Sequence, residues 1–325
     1  MTNSANNSRG GRVESPSVAP VASAGGYFDL QVNGYGGVDF NQDDLSADDL
    51  HRACEKLRAD GVSLILATII TEQLDRMVRR LSRLAELRSR DPLAQEIIAG
   101  FHIEGPFINE TAGYRGAHPA DAIKPASVDD AVRLLDASAG LLRLFTLSPE
   151  RDHNSATIRR LAKQNVIVSA GHTDASLDQL NGAIDAGLSM FTHVGNGCPM
   201  QVHRHDNIIQ RALSLRDRLW LCFIADGVHV PPVALKNYLS LAGDRAIVVT
   251  DAIAPAGLGP GRYTLGRWDL RIGDDMVARA PDGSHFVGSA ITMRHSHANL
   301  REKMMFSDEQ CQRWMIRNPR EEIGR

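Results

Sequence analysis

The sequence predicts an α/β fold, a parallel (β/α)8 TIM-like barrel, and three observations carry that prediction. Short apolar runs alternate with amphipathic helical patterns from Tyr27 onward. The runs are nearly continuous in apolar residues, as expected of strands covered on both faces. Four of them lead into a side chain able to bind a metal or carry a proton: Phe101-His102-Ile103-Glu104-Gly105-Pro106, Val168-Ser169-Ala170-Gly171-His172, Met190-Phe191-Thr192-His193 and Ile247-Val248-Val249-Thr250-Asp251. In a parallel barrel the C-terminal strand ends share one face, and active sites sit there. A doubly wound open sheet is the competing architecture. It calls for a glycine-rich phosphate loop after the first strand, and Gly34-Tyr35-Gly36-Gly37 lacks that spacing.

Residues 1–26 are rich in Asn, Ser, Gly, Ala and Pro without apolar periodicity, and read as a disordered tail. A secretory leader is the competitor; Arg9 and Arg12 supply a charged start, but Pro20 interrupts the short apolar stretch 18–24. The barrel takes 27–325. Its candidate strands are 27–32, 63–68, 96–103, 142–147, 166–170, 189–192, 219–225 and 246–250. Among the helical segments, 47–60 places Leu50, Cys54 and Leu57 on one face and stops at Gly61. Segment 71–87 repeats Leu74, Val78, Leu81 and Leu84, and 232–242 opens on prolines that suit a first helical turn. Beyond the eighth strand, 262–287 is alternating and turn-rich, with Asp274-Asp275 and Asp282-Gly283 as turn signals, and predicts a small β-excursion. Segments 290–305 and 308–317 read as helices.

A chain of 325 residues, 43% of them hydrophobic, has ample material for one large core. A net charge of -3 without long Lys/Arg runs argues against nucleic acid as a partner. No apolar run reaches the roughly 18 residues of a membrane helix. Cys54, Cys198, Cys222 and Cys311 lack paired metal spacing and read as reduced thiols of a cytoplasmic protein.

Every chemical candidate falls at the C-terminal end of a strand: Gln31 and Asn33 at the first, Glu104 at the third, His172 at the fifth and His193 at the sixth. Asp226 and His229 follow the seventh, and Asp251 the eighth. One Glu and two His form a catalytic zinc set that leaves a position for water. Such a metal lowers the pKa of its water and polarises a carbonyl. Asp251, outside that set, suits a shuttle that takes the water's proton and returns it to a leaving amine. A single Glu or His at a strand end is more often an ordinary hydrogen-bonded residue, so the joint pattern is what counts. His102 reads as a neighbour of the ligands rather than a ligand. His51, His153, His285, His295 and His297 read as structural or solvent-facing. His203-Arg204-His205 has the His-x-His form but lies in a loop behind Pro199. It suits an anion such as phosphate, with a solvated basic turn as the equal alternative.

Taken together the motifs resemble the N-acetylglucosamine-6-phosphate deacetylases of the amidohydrolase superfamily. The stretches concerned are 28–40, with Gln31-Val32-Asn33-Gly34; His102-Ile103-Glu104-Gly105-Pro106-Phe107; Gly116-Ala117-His118; Ser169-Ala170-Gly171-His172-Thr173-Asp174-Ala175; Thr192-His193; Ala225-Asp226-Gly227-Val228-His229-Val230; Thr250-Asp251-Ala252; and Gly288-Ser289-Ala290-Ile291-Thr292-Met293. The resemblance implies an amidohydrolase-type barrel, with the usual flanking β-sandwich reduced or absent in this sequence. It implies hydrolysis of the acetamido group of N-acetyl-D-glucosamine 6-phosphate to glucosamine 6-phosphate and acetate, a step of amino-sugar catabolism. Glu104, His172 and His193 match the family's metal ligands, Asp251 its general acid/base and His229 its substrate-orienting histidine. Asn196, Gly197, His118 and Ile291 match substrate contacts, and Arg204 the phosphate contact. A homodimer is implied, acting on a small molecule, with neither nucleic acid nor membrane as partner.

Binuclear relatives carry His-x-His on the first strand, where this chain has Gln31 and Asn33. Neutral amides are poorer zinc ligands than imidazole, so the expectation is one divalent ion per subunit, zinc by default and Fe2+ or another ion as the alternative. Two departures touch the substrate loop: Asn196-Gly197-Cys198-Pro199-Met200 replaces Asn-Ala-Met-Pro-Pro, and His205-Asp206-Asn207 replaces Glu-Pro-Gly. They motivate an alternative, a related amidohydrolase for another N-acyl hexosamine or a cyclic amide. A catalytically inactive sugar-phosphate sensor is the third reading, and the intact Glu104, His172, His193 and Asp251 argue against it.

Overall fold

Each apolar run pairs in parallel with the next. The computed structural model describes residues 25–324 apart from 266–267, 274–276 and 280–285. The expected tail up to residue 24, the two Asp turn signals and His285 lie outside the described residues. The strands are β1 Tyr27–Val32, β2 Val62–Ile70, β3 Ile98–Glu104, β4 Leu142–Leu147, β5 Ile167–Ala170, β6 Leu188–Phe191, β7 Trp220–Ile224 and β8 Ala246–Val249. They pair in chain order in one eight-stranded sheet. Asn33 N donates to Ala252 O at 2.7 Å and Ala252 N to Gln31 O at 3.3 Å, closing β1 onto the chain leaving β8. Intervening helices complete a (β/α)8 barrel. The pairings Ile70↔Glu104, Glu104↔Thr146, Leu147↔Ala170 and Ala170↔Phe191 set successive C-terminal ends level, which gathers the residues beyond them.

Side-chain alternation sorts the strands into two apolar shells. Trp220, Cys222 and Ile224 of β7 and Ile247 and Val249 of β8 join Phe28, Leu30 and Leu66 in the barrel interior. Their neighbours Leu221, Phe223, Ala246 and Val248 face outward, into the shell shared with Leu50, Leu57, Leu81 and Leu84 of the helices. The helices are α1 Ala47–Ala59, α2 Leu74–Arg90, α3 Pro92–Ile97, α4 Val128–Ala137, α5 Ala156–Ala162, α6 Leu177–Asp185, α7 Ile208–Ser214 and α8 Pro232–Ala242. In α1 the Ser46 hydroxyl accepts from Asp49 N, so an N-cap sets the start that the apolar stripe alone leaves open.

The structure moves two expected boundaries. The third strand begins at Ile98 rather than 96, because the Asp91 carboxylate accepts from Leu93 N and Ala94 N and starts α3, with Pro92 in its first turn. Helix α2 begins at Leu74 rather than 71, because Thr71 Oγ1 donates to Glu104 O at 3.2 Å and stays with the strand ends. Of the later segments, 290–305 is helical only over 293–303, where α9 Met293–Ala298 runs into a π turn at Asn299–Lys303, while 308–317 is helical throughout, α10 Asp308–Gln312 running into a π turn at Arg313–Arg317. Helix α11 Asn318–Ile323 then closes the N-terminal mouth of the barrel. Asn318 Nδ2 donates to Ala246 O at 2.7 Å, Arg320 reaches Gly26 O and Ser63 Oγ, and Ile323 packs on the interior shell.

Beyond β8, the strands β9 Gly261–Leu265, β10 Trp268–Ile272, β11 Val277–Arg279 and β12 Phe286–Ser289 form an antiparallel sheet. Its last strand returns to the barrel: Ser289 N donates to Asp251 O, and Ile253 N to Ser289 O, both at 3.0 Å.

Candidate active site

The level strand ends bring together the residues that the sequence scatters over 220 positions. Glu104, at the end of β3, is the hub. Its Oε1 lies 3.2 Å from His172 Nε2 and 2.9 Å from His193 Nε2, and the two Nε2 atoms are 3.1 Å apart. All three residues are buried. His172 Nδ1 lies 2.8 Å from Tyr114 O, so its proton is engaged there and the Nε2 lone pair turns to the hub. A carboxylate oxygen and two imidazole nitrogens pointing at one spot have a shared need for a cation. Tetrahedral zinc with bonds of about 2.0–2.1 Å sets comparable ligand separations. Among the described residues these three alone form a group able to hold a metal ion.

The carboxylates of the site are pushed apart electrostatically. Burial would raise Glu104, but the hydrogen bonds and charges of His172 and His193 outweigh it and hold Glu104 well below the usual range. Asp251 is pushed up to about 6, by burial first and by the charge of Glu104 second. Gln31 and Asn33 hold these two acids in place. Gln31 Nε2 donates to Glu104 Oε2 at 3.1 Å and to Asp251 Oδ1 at 3.0 Å, and Asn33 Nδ2 donates to Asp251 Oδ1 at 2.7 Å. Both amides therefore engage one oxygen of Asp251.

Local backbone geometry aims the side chains. His172, His193 and Asp251 have φ of 51°, 32° and 51°, left-handed values that non-glycine residues seldom adopt. Each follows its strand at the point where the chain turns over the barrel mouth. Buried Asp29 fixes the approach to Asp251, accepting from Thr250 N, Thr250 Oγ1 and Gln31 N. Burial pushes Asp29 up to about 7. Below the site runs a layer of hydroxyls: His102 Nε2 meets Thr146 Oγ1 at 2.8 Å, which meets Thr192 Oγ1 at 2.8 Å, which meets Ser169 Oγ at 2.6 Å. Burial lowers His102 to about 4.

His229 lies across the cleft, with Nδ1 2.6 Å from Asp226 Oδ2. The same Asp226 carboxylate accepts from Val228 N and His229 N, each at 2.9 Å. Burial would raise its pKa, but the hydrogen bond and charge of His229, together with the Val228 and His229 backbone N–H groups, outweigh it and lower the pKa. An Asp three residues before a His is a local turn spacing visible in the sequence, although its role as the imidazole's partner was not assigned there. The Tyr114 carbonyl and Asp29 carry no sequence signal of this kind.

The cleft has a volume of about 620 Å³, and His118, Asn196, Gly197, His229 and Asp251 are among its lining residues. His118 Nε2 is 3.2 Å from His172 Nε2, and burial, helped by His172, lowers His118 to about 3. Ile291 is buried and lies outside that lining. Arg204 is exposed and likewise outside it, on a loop turned by His203 Nδ1, which accepts from Asp206 N at 3.0 Å. Of the remaining histidines, His51 pairs with Asp91, His295 with Thr292 and His297 with Tyr27.

No family model matches the chain. It is 32% identical over 276 residues to the N-acetylgalactosamine-6-phosphate deacetylase of Escherichia coli O157:H7, spanning 85% of this chain and 71% of that one. It is 31% identical over 281 residues to the N-acetylglucosamine-6-phosphate deacetylase of Bacillus subtilis, spanning 85% and 69%. Among solved structures, the Mycobacterium smegmatis N-acetyl-D-glucosamine-6-phosphate deacetylase in complex with N-acetyl-D-glucosamine-6-phosphate superposes with a TM-score of 0.84 at 29% identity, over 93% of this chain and 77% of that one. With the barrel, the Glu104 hub and these relatives in agreement, the chain belongs to the N-acetylglucosamine-6-phosphate deacetylase family of amidohydrolases.

Proposed function

We propose that the chain hydrolyses the acetamido group of N-acetyl-D-glucosamine 6-phosphate, giving glucosamine 6-phosphate and acetate. The observation that carries this is the Glu104–His172–His193 hub with Asp251 held beside it by two amides, in a member of the deacetylase family. A divalent ion held by Glu104, His172 and His193, zinc in our reading and one per subunit, supplies Lewis acidity toward water and the amide carbonyl. Asp251 takes the proton of the attacking water. Its Oδ1 accepts from Gln31 and Asn33, so Oδ2 is the oxygen that carries the proton. Asp251 then delivers that proton to the amide nitrogen as the C–N bond breaks, which the poor amine leaving group requires. Asp226 holds the His229 ring through Nδ1, and the ring, which lines the cleft, orients the substrate. Asn196, Gly197 and His118 contact the sugar, Ile291 backs the contact, and Arg204 meets phosphate from the loop outside the cleft. We further propose a cytoplasmic homodimer; among the described residues no helix is long and apolar enough to cross a membrane.

The epimer is a real choice. One relative is a galactosamine enzyme, and the loop after β6 departs from the family pattern at Gly197, Cys198 and Met200. Acetate release by the zinc-loaded chain, measured on both N-acetylhexosamine 6-phosphates and both free sugars, tests the proposal. The expected ranking puts N-acetylglucosamine 6-phosphate first. A preference for the galactosamine ester reassigns the epimer, and no acetate from any of the four sinks the deacetylase reading.

A further inference from the structure

We propose that Arg115 binds the phosphate of the substrate from within the same chain, and so sets the preference for phosphorylated sugars. The inference rests on the deacetylase reading above and deepens it. Arg115 lines the cleft together with Glu104, His172, His193 and Asp251, and it is the one Lys or Arg among the cleft's lining residues. It is half-buried. Among the described residues its guanidinium has neither an ion pair nor a hydrogen bond, whereas most other arginines of the chain are engaged in one. A permanent cation on a cleft-lining residue, without a partner among the described residues and in a site whose other full charges are carboxylates, suits an anionic ligand group. A planar guanidinium pairs with phosphate through two parallel hydrogen bonds.

The backbone around Arg115 is fixed relative to the chemistry. Arg115 N donates to Thr111 O and His118 N donates to Arg115 O, both at 3.1 Å, making a turn. The preceding carbonyl, Tyr114 O, is the one that orients His172. The next residue, Gly116, has φ of 55° and lies so close to His172 that an added Cβ would stand 3.2 Å from its Cε1. On the other side, Gly113 packs against Pro199 of the loop after β6, where an added Cβ would come within 2.8 Å of Pro199 Cγ. The side chain of Arg115 therefore springs from a turn locked to a proposed metal ligand and to the opposite cleft wall. Its reach from the reacting centre is set by the barrel rather than by the exposed loop that carries Arg204.

The test compares Arg115→Gln, Arg115→Lys and Arg204→Gln with the parent, all zinc-loaded. The readout is the ratio of kcat/KM on N-acetylglucosamine 6-phosphate to that on N-acetylglucosamine. Loss of a charge-assisted contact to phosphate is expected to lower this ratio about tenfold to a hundredfold in Arg115→Gln, mainly through KM, with partial recovery in Arg115→Lys. Direct binding of glucosamine 6-phosphate by calorimetry gives a second readout independent of turnover, with the same loss expected. An unchanged ratio with unchanged binding overturns the assignment while leaving the deacetylase reading intact. So does an equal fall on both sugars, which marks a structural role. A parent chain that neither releases acetate nor binds glucosamine 6-phosphate overturns both.

Discussion

Asp251 is the residue on which the proposed chemistry turns. It is half-buried, its Oδ1 is committed to Gln31 and Asn33, and its carboxyl is pushed up to about 6. Replacing it with Asn keeps the shape and removes the proton carrier. Asp251→Asn should lower kcat by about 10²–10⁴-fold, the range for a lost general acid/base, while elemental analysis still finds the metal. Retained turnover would refute the shuttle. The pH profile follows from the same group. Above its pKa the carboxylate accepts the water's proton; below it the site is protonated and the rate falls. A cation bound beside it favours the ionised form, so the acid limb of kcat/KM should fall at or below about pH 6. A limb absent in the parent chain between pH 4 and 6 would count against Asp251 as the base. In the sequence, Asp251 was legible because it follows an apolar strand. Asp226 was legible in the same way, after the seventh strand, but its pairing with His229 was not, since a hydrogen bond within a turn leaves no periodic trace.

At the scale of elements, two loops clamp His172 at the end of β5. The turn around Gly116 presses from one side and Gly197 from the other. Gly197 has φ of 59°, and an added Cβ would stand 3.0 Å from His172 Nδ1 and 3.2 Å from its Cα. Gly197→Ala therefore meets both a backbone penalty and a close contact, and the imidazole is the part able to give way. The expected result is about a tenfold to hundredfold loss of zinc affinity in a metal titration, with the far-UV circular dichroism unchanged. Unaltered zinc affinity would show that the ring position does not depend on this glycine. The strands that carry the site were readable because each is buried on both faces and so nearly unbroken in apolar residues. Their ends were less so: Pro92 and the Asp91 cap start a helix that takes in 96–97, which the apolar run alone reads as strand. Nor does periodicity reveal that Arg204 lies outside the cleft lining while a turn 89 residues upstream supplies Arg115 to it.

For the whole molecule, the division into two apolar shells separates folding from metal binding. The interior shell around Phe28, Leu30, Trp220 and Ile247 and the outer shell under the helices involve none of Glu104, His172 and His193. The helix α11 closes the opposite mouth through Asn318 and Arg320. Stripping the metal should therefore leave the barrel folded but less stable. A ligand present at about a thousand times its Kd stabilises by roughly 4 kcal/mol, which for a large domain corresponds to about 8–16 °C in Tm. We expect chelation to stop turnover and lower Tm by several degrees, with circular dichroism at 25 °C unchanged, and zinc to restore both. The stoichiometry is decided in the same experiment. Gln31 and Asn33 spend their amides on Glu104 and Asp251, which leaves β1 without imidazoles for a second ion, so saturation should come at one zinc per chain. Two tightly held ions would overturn that reading of the strand, and collapse of the fold on chelation would show that the metal site is part of the core.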